Sequence, residues 1–145
     1  MKGNIETTVS ISRKTAIVLC LTSVLLCFLY NFLRPGLPTW WKQFGGGIPY
    51  VLFWILLWFV AFPNRKSILP ICIGVFLFTC LLEFLQLWNP GPLAVFRQTK
   101  LGVAWLGNQF SWGDIPPYLT GGLIGFLLLH LLFITKSRLK KRYQA

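Results

Sequence analysis

The chain is short of charge and shorter still of acid. Only 12% of its 145 residues are charged, against about 25% in an ordinary soluble domain. So few charges cannot wet the surface of a water-soluble protein of this size. There are three acidic residues and one histidine. That excludes a zinc or di-metal centre, which needs more ligands than these, and no metal or cofactor is expected. His130 lies sixteen residues beyond Asp114, about 24 Å along a continuous helix, so a Ser111–His130–Asp114 triad cannot assemble. No glycine loop with a following lysine is present to cradle phosphate. The four cysteines, Cys20, Cys27, Cys72 and Cys80, all fall inside apolar runs. None sits in a loop, where the disulfide framework of a secreted domain would need it. They read as small packing residues. Cys20, Cys72 and His130 share a depth, but cysteines in apolar helices are ordinarily inert.

What is abundant is hydrophobic residues, 55% of the chain, with 17% aromatic. They gather in four stretches, about 15–33, 46–63, 68–88 and 115–134. Near 1.5 Å of rise per residue, stretches of this length cross or nearly cross a hydrocarbon core of about 30 Å. Arg34-Pro35-Gly36, Pro63 to Ser67 and Asn89-Pro90-Gly91-Pro92 separate them. The first stretch is too long for a signal peptide, and no small-x-small cleavage site follows it. The expectation is an all-α membrane protein, a four-transmembrane-helix bundle. Residues 1–14 form an N-terminal segment and 135–145 a basic tail. Residues 93–113 carry Phe96, Trp105, Phe110 and Trp112 with no regular period. They read as an interfacial or re-entrant segment between the third and fourth helices.

The net charge of +11 does not point to nucleic acid, because no soluble basic domain carries it. The cations lie at the ends of the apolar runs, where they meet anionic lipid headgroups. Four spans put Lys2, Arg13, Lys14, Arg65, Lys66 and the tail's Lys136, Arg138, Lys140, Lys141 and Arg142 on one side, ten in all. The other side holds four, Arg34, Lys42, Arg97 and Lys100. The positive-inside rule then places both termini in the cytoplasm. The expected location is a cell inner membrane.

Glu83 is the most informative residue. It precedes the end of the third stretch by five positions, about 7–8 Å below the outer interface. A carboxylate costs roughly 2–3 kcal/mol or more at full depth, so it requires a partner, a proton or a watery cavity. Thr79, Glu83 and Gln86 follow i, i+4, i+7 spacing and form one polar face directed into the bundle. Asp114, with Pro116 and Pro117 after it, reads as a helix N-cap. Tyr118 lies one turn further, and Gly121, Gly122 and Gly125 continue its face. The Gly121-x-x-x-Gly125 spacing admits close approach of another helix. Arg97 is a counter-ion for Glu83 or Asp114. The candidate polar site is therefore Glu83, Gln86, Arg97, Asp114 and Tyr118; the plain alternative is a buried pair that fixes helix packing.

The ordered pattern is Glu83-x-x-Gln86, Arg97-x-Thr99-x-x-Gly102, Gly107-x-x-Phe110-x-x-x-Asp114 and Tyr118-x-x-Gly121. Over roughly residues 45–128 it resembles the domain of unknown function 2809 family, small bacterial membrane proteins. More distantly it is similar to VanZ-like membrane proteins, with Tyr118 about where that pattern carries asparagine. The first resemblance implies a multi-pass inner-membrane protein of no established activity. The second implies an envelope or glycopeptide-resistance setting.

Two functions follow. One is binding of, or action on, a small or lipid-linked molecule at the outer face. Glu83 would serve as acid, base or proton-linked group, Gln86 and Tyr118 would orient the ligand, and Arg97 would hold an anionic group. The other is a non-enzymatic accessory subunit of a membrane complex. It would use the glycine face and the stripe Tyr50, Trp54 and Trp58 to meet other membrane proteins or further copies of itself. A transporter is less favoured, since four helices leave little room for alternating access.

Overall fold

The computed structural model describes residues 11–88, 91–99, 101–102 and 110–143, and of Gln43, Leu93, Arg97 and residues 140–143 only the backbone. Among the described residues there is no strand. The fold is all-α, with helices α1 (Arg13–Leu33), α2 (Thr39–Phe44), α3 (Gly47–Ala61), α4 (Ile68–Leu87), α5 (Gly91–Arg97) and α6 (Ile115–Tyr143). Four helical stretches are long and apolar enough to cross a membrane: Arg13–Gly36, Thr39–Ala61, Arg65–Leu87 and Trp112–Leu139. This is the architecture of a multi-pass membrane protein.

Local chemistry sets the helix limits. Ser12 caps α1, its Oγ accepting the Thr15 N–H at 3.2 Å, as serine does at an N-cap. The residues between α1 and α3, read from sequence as a loop, hold a 3₁₀ turn at Arg34–Gly36 and the short α2. The Tyr30 hydroxyl ties them to α1 by donating to the Lys42 carbonyl at 3.0 Å. α3 stops at Ala61 because Pro63 disfavours helical geometry in the residue before it. Pro116 and Pro117 occupy the first turn of α6, where a missing N–H breaks no helical bond. α6 continues to Tyr143 rather than ending with its apolar run at Ile134. Lys136 and Arg138 are thus cations on the last turns of a helix, whose dipole favours positive charge there.

α3 is the centre of the bundle. Val51, Ile55 and Phe59 are wholly buried, and α1, α4 and α6 all pack on it. α3 and α6 run parallel. Gly47 lies against Pro117 and Tyr118, Gly121 against Ile48 and Val51, and Gly125 against Ile55 and Leu52. Further along, Phe59 and Phe133 meet edge to face, 6.2 Å between ring centroids. α4 runs antiparallel to both. One end of the bundle therefore gathers the ends of α1 and α4 with the starts of α3 and α6. Arg13, Lys14, Arg65, Lys66, Lys136 and Arg138 belong to the opposite end.

The close approach of α3 and α6 rests on the absence of side chains. A Cβ on Gly121 would lie 2.9 Å from the Ile48 carbonyl oxygen, and one on Gly125 2.9 Å from Ile55 Cδ1. Gly122 meets nothing within 4 Å. All three glycines are buried, but only Gly121 and Gly125 sit where a Cβ would strike α3. The helix they admit is α3 of the same chain. Gly121→Ala should destabilise the protein by about 1–3 kcal/mol, the usual cost of overpacking. Gly122→Ala should leave stability unchanged or slightly raised. Thermal unfolding of the two variants in detergent measures the difference.

Candidate functional site at the end of α4

Glu83 lies in the last full turn and a half of α4, on the stripe Cys72, Val75 and Thr79 that faces the bundle interior. It is 3% exposed and Thr79 is 1% exposed. Thr79 satisfies its hydroxyl within the helix by donating to the Phe76 carbonyl at 2.9 Å. Glu83 reaches across to the C-terminal segment. Its Oε1 accepts the Tyr118 hydroxyl at 2.6 Å, and its Oε2 accepts the Ser111 backbone N–H at 3.3 Å. The first is a short O–H···O hydrogen bond. Each carboxylate oxygen thus has a donor from a segment that follows α4 in sequence.

Both donors are held in place by neighbours. Gly47 gives Tyr118 its room: a Cβ there would stand 3.1 Å from the ring's Cδ1 and Cε1. Ser111 lies between Phe110 and Trp112, and both rings pack on Phe84, the residue after Glu83. The centroid distances are 5.9 Å for Phe84–Phe110, 6.0 Å for Phe84–Trp112 and 5.0 Å for Phe110–Trp112. Edge-to-face and tilted contacts of this kind stabilise beyond simple burial. The three rings fasten the 110–112 segment to α4 and bring the Ser111 N–H to the carboxylate.

Asp114 was expected to be the helix N-cap. The structure moves the cap to Ser111, whose Oγ accepts the Gly113 N–H at 3.2 Å and whose carbonyl accepts the Asp114 N–H at 3.1 Å. The reason is that the chain turns one step early, through a 3₁₀ turn at Trp112–Asp114. In an ordinary capping box the acid three residues on would accept the N–H of the cap residue. Here Glu83 of α4 takes that N–H instead. The Asp114 carboxylate is half-buried and near enough to Glu83 for the two like charges to interact. Gln86 is half-buried in the α4 turn beyond Glu83.

The structure therefore brings Glu83, Asp114 and Tyr118 together, with Gln86 one turn away. Arg97 ends α5; its side chain, and so its proposed pairing with an acid, lies outside the described residues. Lys100 and residues 103–109, with Trp105 and Asn108 of the expected interfacial segment, lie outside them as well. Among the described residues no group of three or more His, Cys, Asp or Glu could hold a metal. All four cysteines are free thiols. His130 stacks on Phe126, centroids 5.6 Å apart.

Ser111 and Gly47 were not singled out by sequence reasoning as site residues. Ser111-x-x-Asp114 just before an apolar run is a capping-box spacing and marks Ser111 as a helix start. That it would also serve Glu83 has no sequence signal. Gly45-Gly46-Gly47 is visible as a run, but which ring each meets, Tyr30 for Gly45 and Gly46 and Tyr118 for Gly47, is set by the helix pairing.

The sequence profile of a family described as proteins of unknown function, DUF2809, matches residues 36–122. The chain belongs to that family. The matched region takes in α2 through the first two turns of α6, and with them Glu83, Ser111, Asp114 and Tyr118. No curated protein and no solved structure matches the chain.

The Tyr118–Glu83 contact should be energetically coupled. Tyr118→Phe leaves one oxygen of a buried carboxylate without its donor, at a cost of about 1–3 kcal/mol. In a double-mutant cycle with Glu83→Ala, which removes the acceptor, measured by unfolding in detergent, the coupling should be on the order of 1 kcal/mol, the upper part of the range for hydrogen bonds between membrane helices. Additive single effects would show that the two side chains do not bond.

Proposed function

We propose that the Glu83 end of the bundle binds, or acts on, the polar part of a small or lipid-linked molecule at the outer face of a bacterial inner membrane. The observation that carries this reading is the buried Glu83 carboxylate, hydrogen-bonded by Tyr118 and Ser111 beside a second acid, Asp114. An ionisable group inside a membrane bundle is a functional candidate by default. A second acid of like sign is not what a purely structural pair needs. Glu83 serves as the acid, base or proton-linked group. Tyr118 and Gln86 orient the ligand, Asp114 tunes the charge of the site, and Arg97 approaches an anionic group from the α5 side. The VanZ-like pattern of Glu83-x-x-Gln86 followed by an acid supports a role in the cell envelope.

The uneven distribution of Lys and Arg supports the sidedness, with both termini in the cytoplasm. The alternative, an accessory subunit of a membrane complex, keeps the aromatic stripe of α3 as its support. It loses Gly121 and Gly125, which the chain uses against its own α3.

Two measurements test the proposal. In a background without native cysteines, Thr99→Cys should react with a membrane-impermeant maleimide added outside intact cells; reaction only after the membrane is opened reverses the orientation. For the site, Glu83→Gln keeps one acceptor for Tyr118 and gives up the weaker bond from the Ser111 N–H, so it should fold with a melting temperature only slightly lowered. Mass spectrometry of the protein purified in mild detergent should find a small molecule or lipid retained by the wild type. That molecule should be depleted at least tenfold in Glu83→Gln and in Arg97→Ala. Equal retention in all three would leave Glu83 as a packing residue.

A further inference from the structure

Between α3 and α4 lies an elongated cavity of about 640 Å³. Tyr50, Trp54 and Trp58, one per turn of α3, and Phe62 just past its end form one wall, and Gly74 and Val75 line it on α4. It runs from Ser67, beside the basic turn, to Leu82, the residue before Glu83. From Tyr50 to Phe62 this is about 18 Å along the helix axis. A Cβ on Gly74 would meet nothing within 4 Å, so the cavity is open down to the α4 backbone.

Lipid tails surround a membrane bundle, and the shape of this cleft decides between them and another helix. A helix is about 10–12 Å wide with its side chains, whereas packed helices lie about 8–10 Å apart. A third helix could rest on the rim but could not enter. Close helix association also calls for small residues on the contact face; here α3 offers tryptophan and phenylalanine. A single hydrocarbon chain is thin enough to reach Gly74. The upper end of the cleft adjoins the polar site, with Leu82 beside Glu83 and Tyr50 beside Tyr118. The Tyr50 ring forms part of its wall and also lies 6.4 Å, centroid to centroid, from the Tyr118 ring that bonds Glu83.

The geometry points to a seat for one hydrocarbon chain of a membrane amphiphile in the α3–α4 cleft, its polar head turned past Tyr50 toward Glu83 and Tyr118. The position of the head rests on the function proposed above; the seat of the chain does not.

The test uses the full-length protein in lipid nanodiscs that contain phosphatidylglycerol with a diazirine midway along one acyl chain. After irradiation, adducts are mapped by mass spectrometry. Adducts on Trp54, Trp58 and Phe78 should exceed those on Leu21 and Leu25 of α1 by at least fivefold, although all these residues except Trp54 are well exposed to lipid. Gly74→Leu fills open space and should remove the excess while leaving α1 labelling and the melting temperature unchanged. If Gly74→Leu fails to fold, excess unlabelled phosphatidylglycerol takes its place and should suppress the cleft adducts before those on α1. Equal labelling of cleft and α1, an excess that survives the filled or competed cleft, or a cross-link to a second copy at Trp58 overturns the proposal. Cleft adducts that persist in Glu83→Gln, with no Glu83-dependent molecule retained on purification, uphold the seat and overturn only the polar-site reading.

Discussion

Hydrocarbon offers no hydrogen bonds, so each polar group buried in this bundle must find its partner within the chain. Glu83 meets that demand at the greatest distance in sequence. Its two oxygens take donors from Tyr118 and from the Ser111 backbone, and satisfying them fixes where α6 starts, how the 110–114 turn is folded and which way α4 faces. Gly47 then has to be a glycine, because the Tyr118 ring occupies the space beside it. Phe84, Phe110 and Trp112 close the arrangement from outside. A single carboxylate thus organises one whole end of the molecule, where α3, α4 and α6 converge.

α3 presents two different faces to its neighbours. Toward α6 it packs at backbone distance, made possible by Gly121 and Gly125. Toward α4 it offers a column of aromatic rings that line an open cleft. The glycine contact maximises van der Waals packing, the main attraction available between helices in lipid. The aromatic side does not reach such density. A molecule that needed only stability would close both sides alike. α4 thus does two things: its buried stripe packs into the bundle, and its Gly74 side lines the open cleft.

Much of this was readable in the sequence because lipid imposes simple rules. Long apolar runs could only be spanning helices, and a lone acid in one of them had to be significant. Period fixed the stripe from Thr79 to Glu83, and proline fixed where α3 stops. What escaped was what depends on three-dimensional pairing. Asp114 looked like a cap because aspartate before proline usually is one; an early 3₁₀ turn handed that role to Ser111. Gly122 looked equivalent to Gly121, yet one step along a helix is about 100° of rotation, enough to carry its Cβ position out of contact. The identity of the second donor to Glu83 could not be read at all, since a backbone N–H carries no side-chain signature.

The order of synthesis gives the Glu83 contacts a further meaning. When α4 leaves the ribosome and enters the membrane, neither Ser111 nor Tyr118 has yet emerged behind it. Until they arrive, the carboxylate must stay hydrated, hold a proton or keep α4 near the interface. The last helix therefore does more than add a fourth pass. It brings both donors of the Glu83 carboxylate, so a chain cut short before residue 111 would carry this acid into the bilayer without either of them.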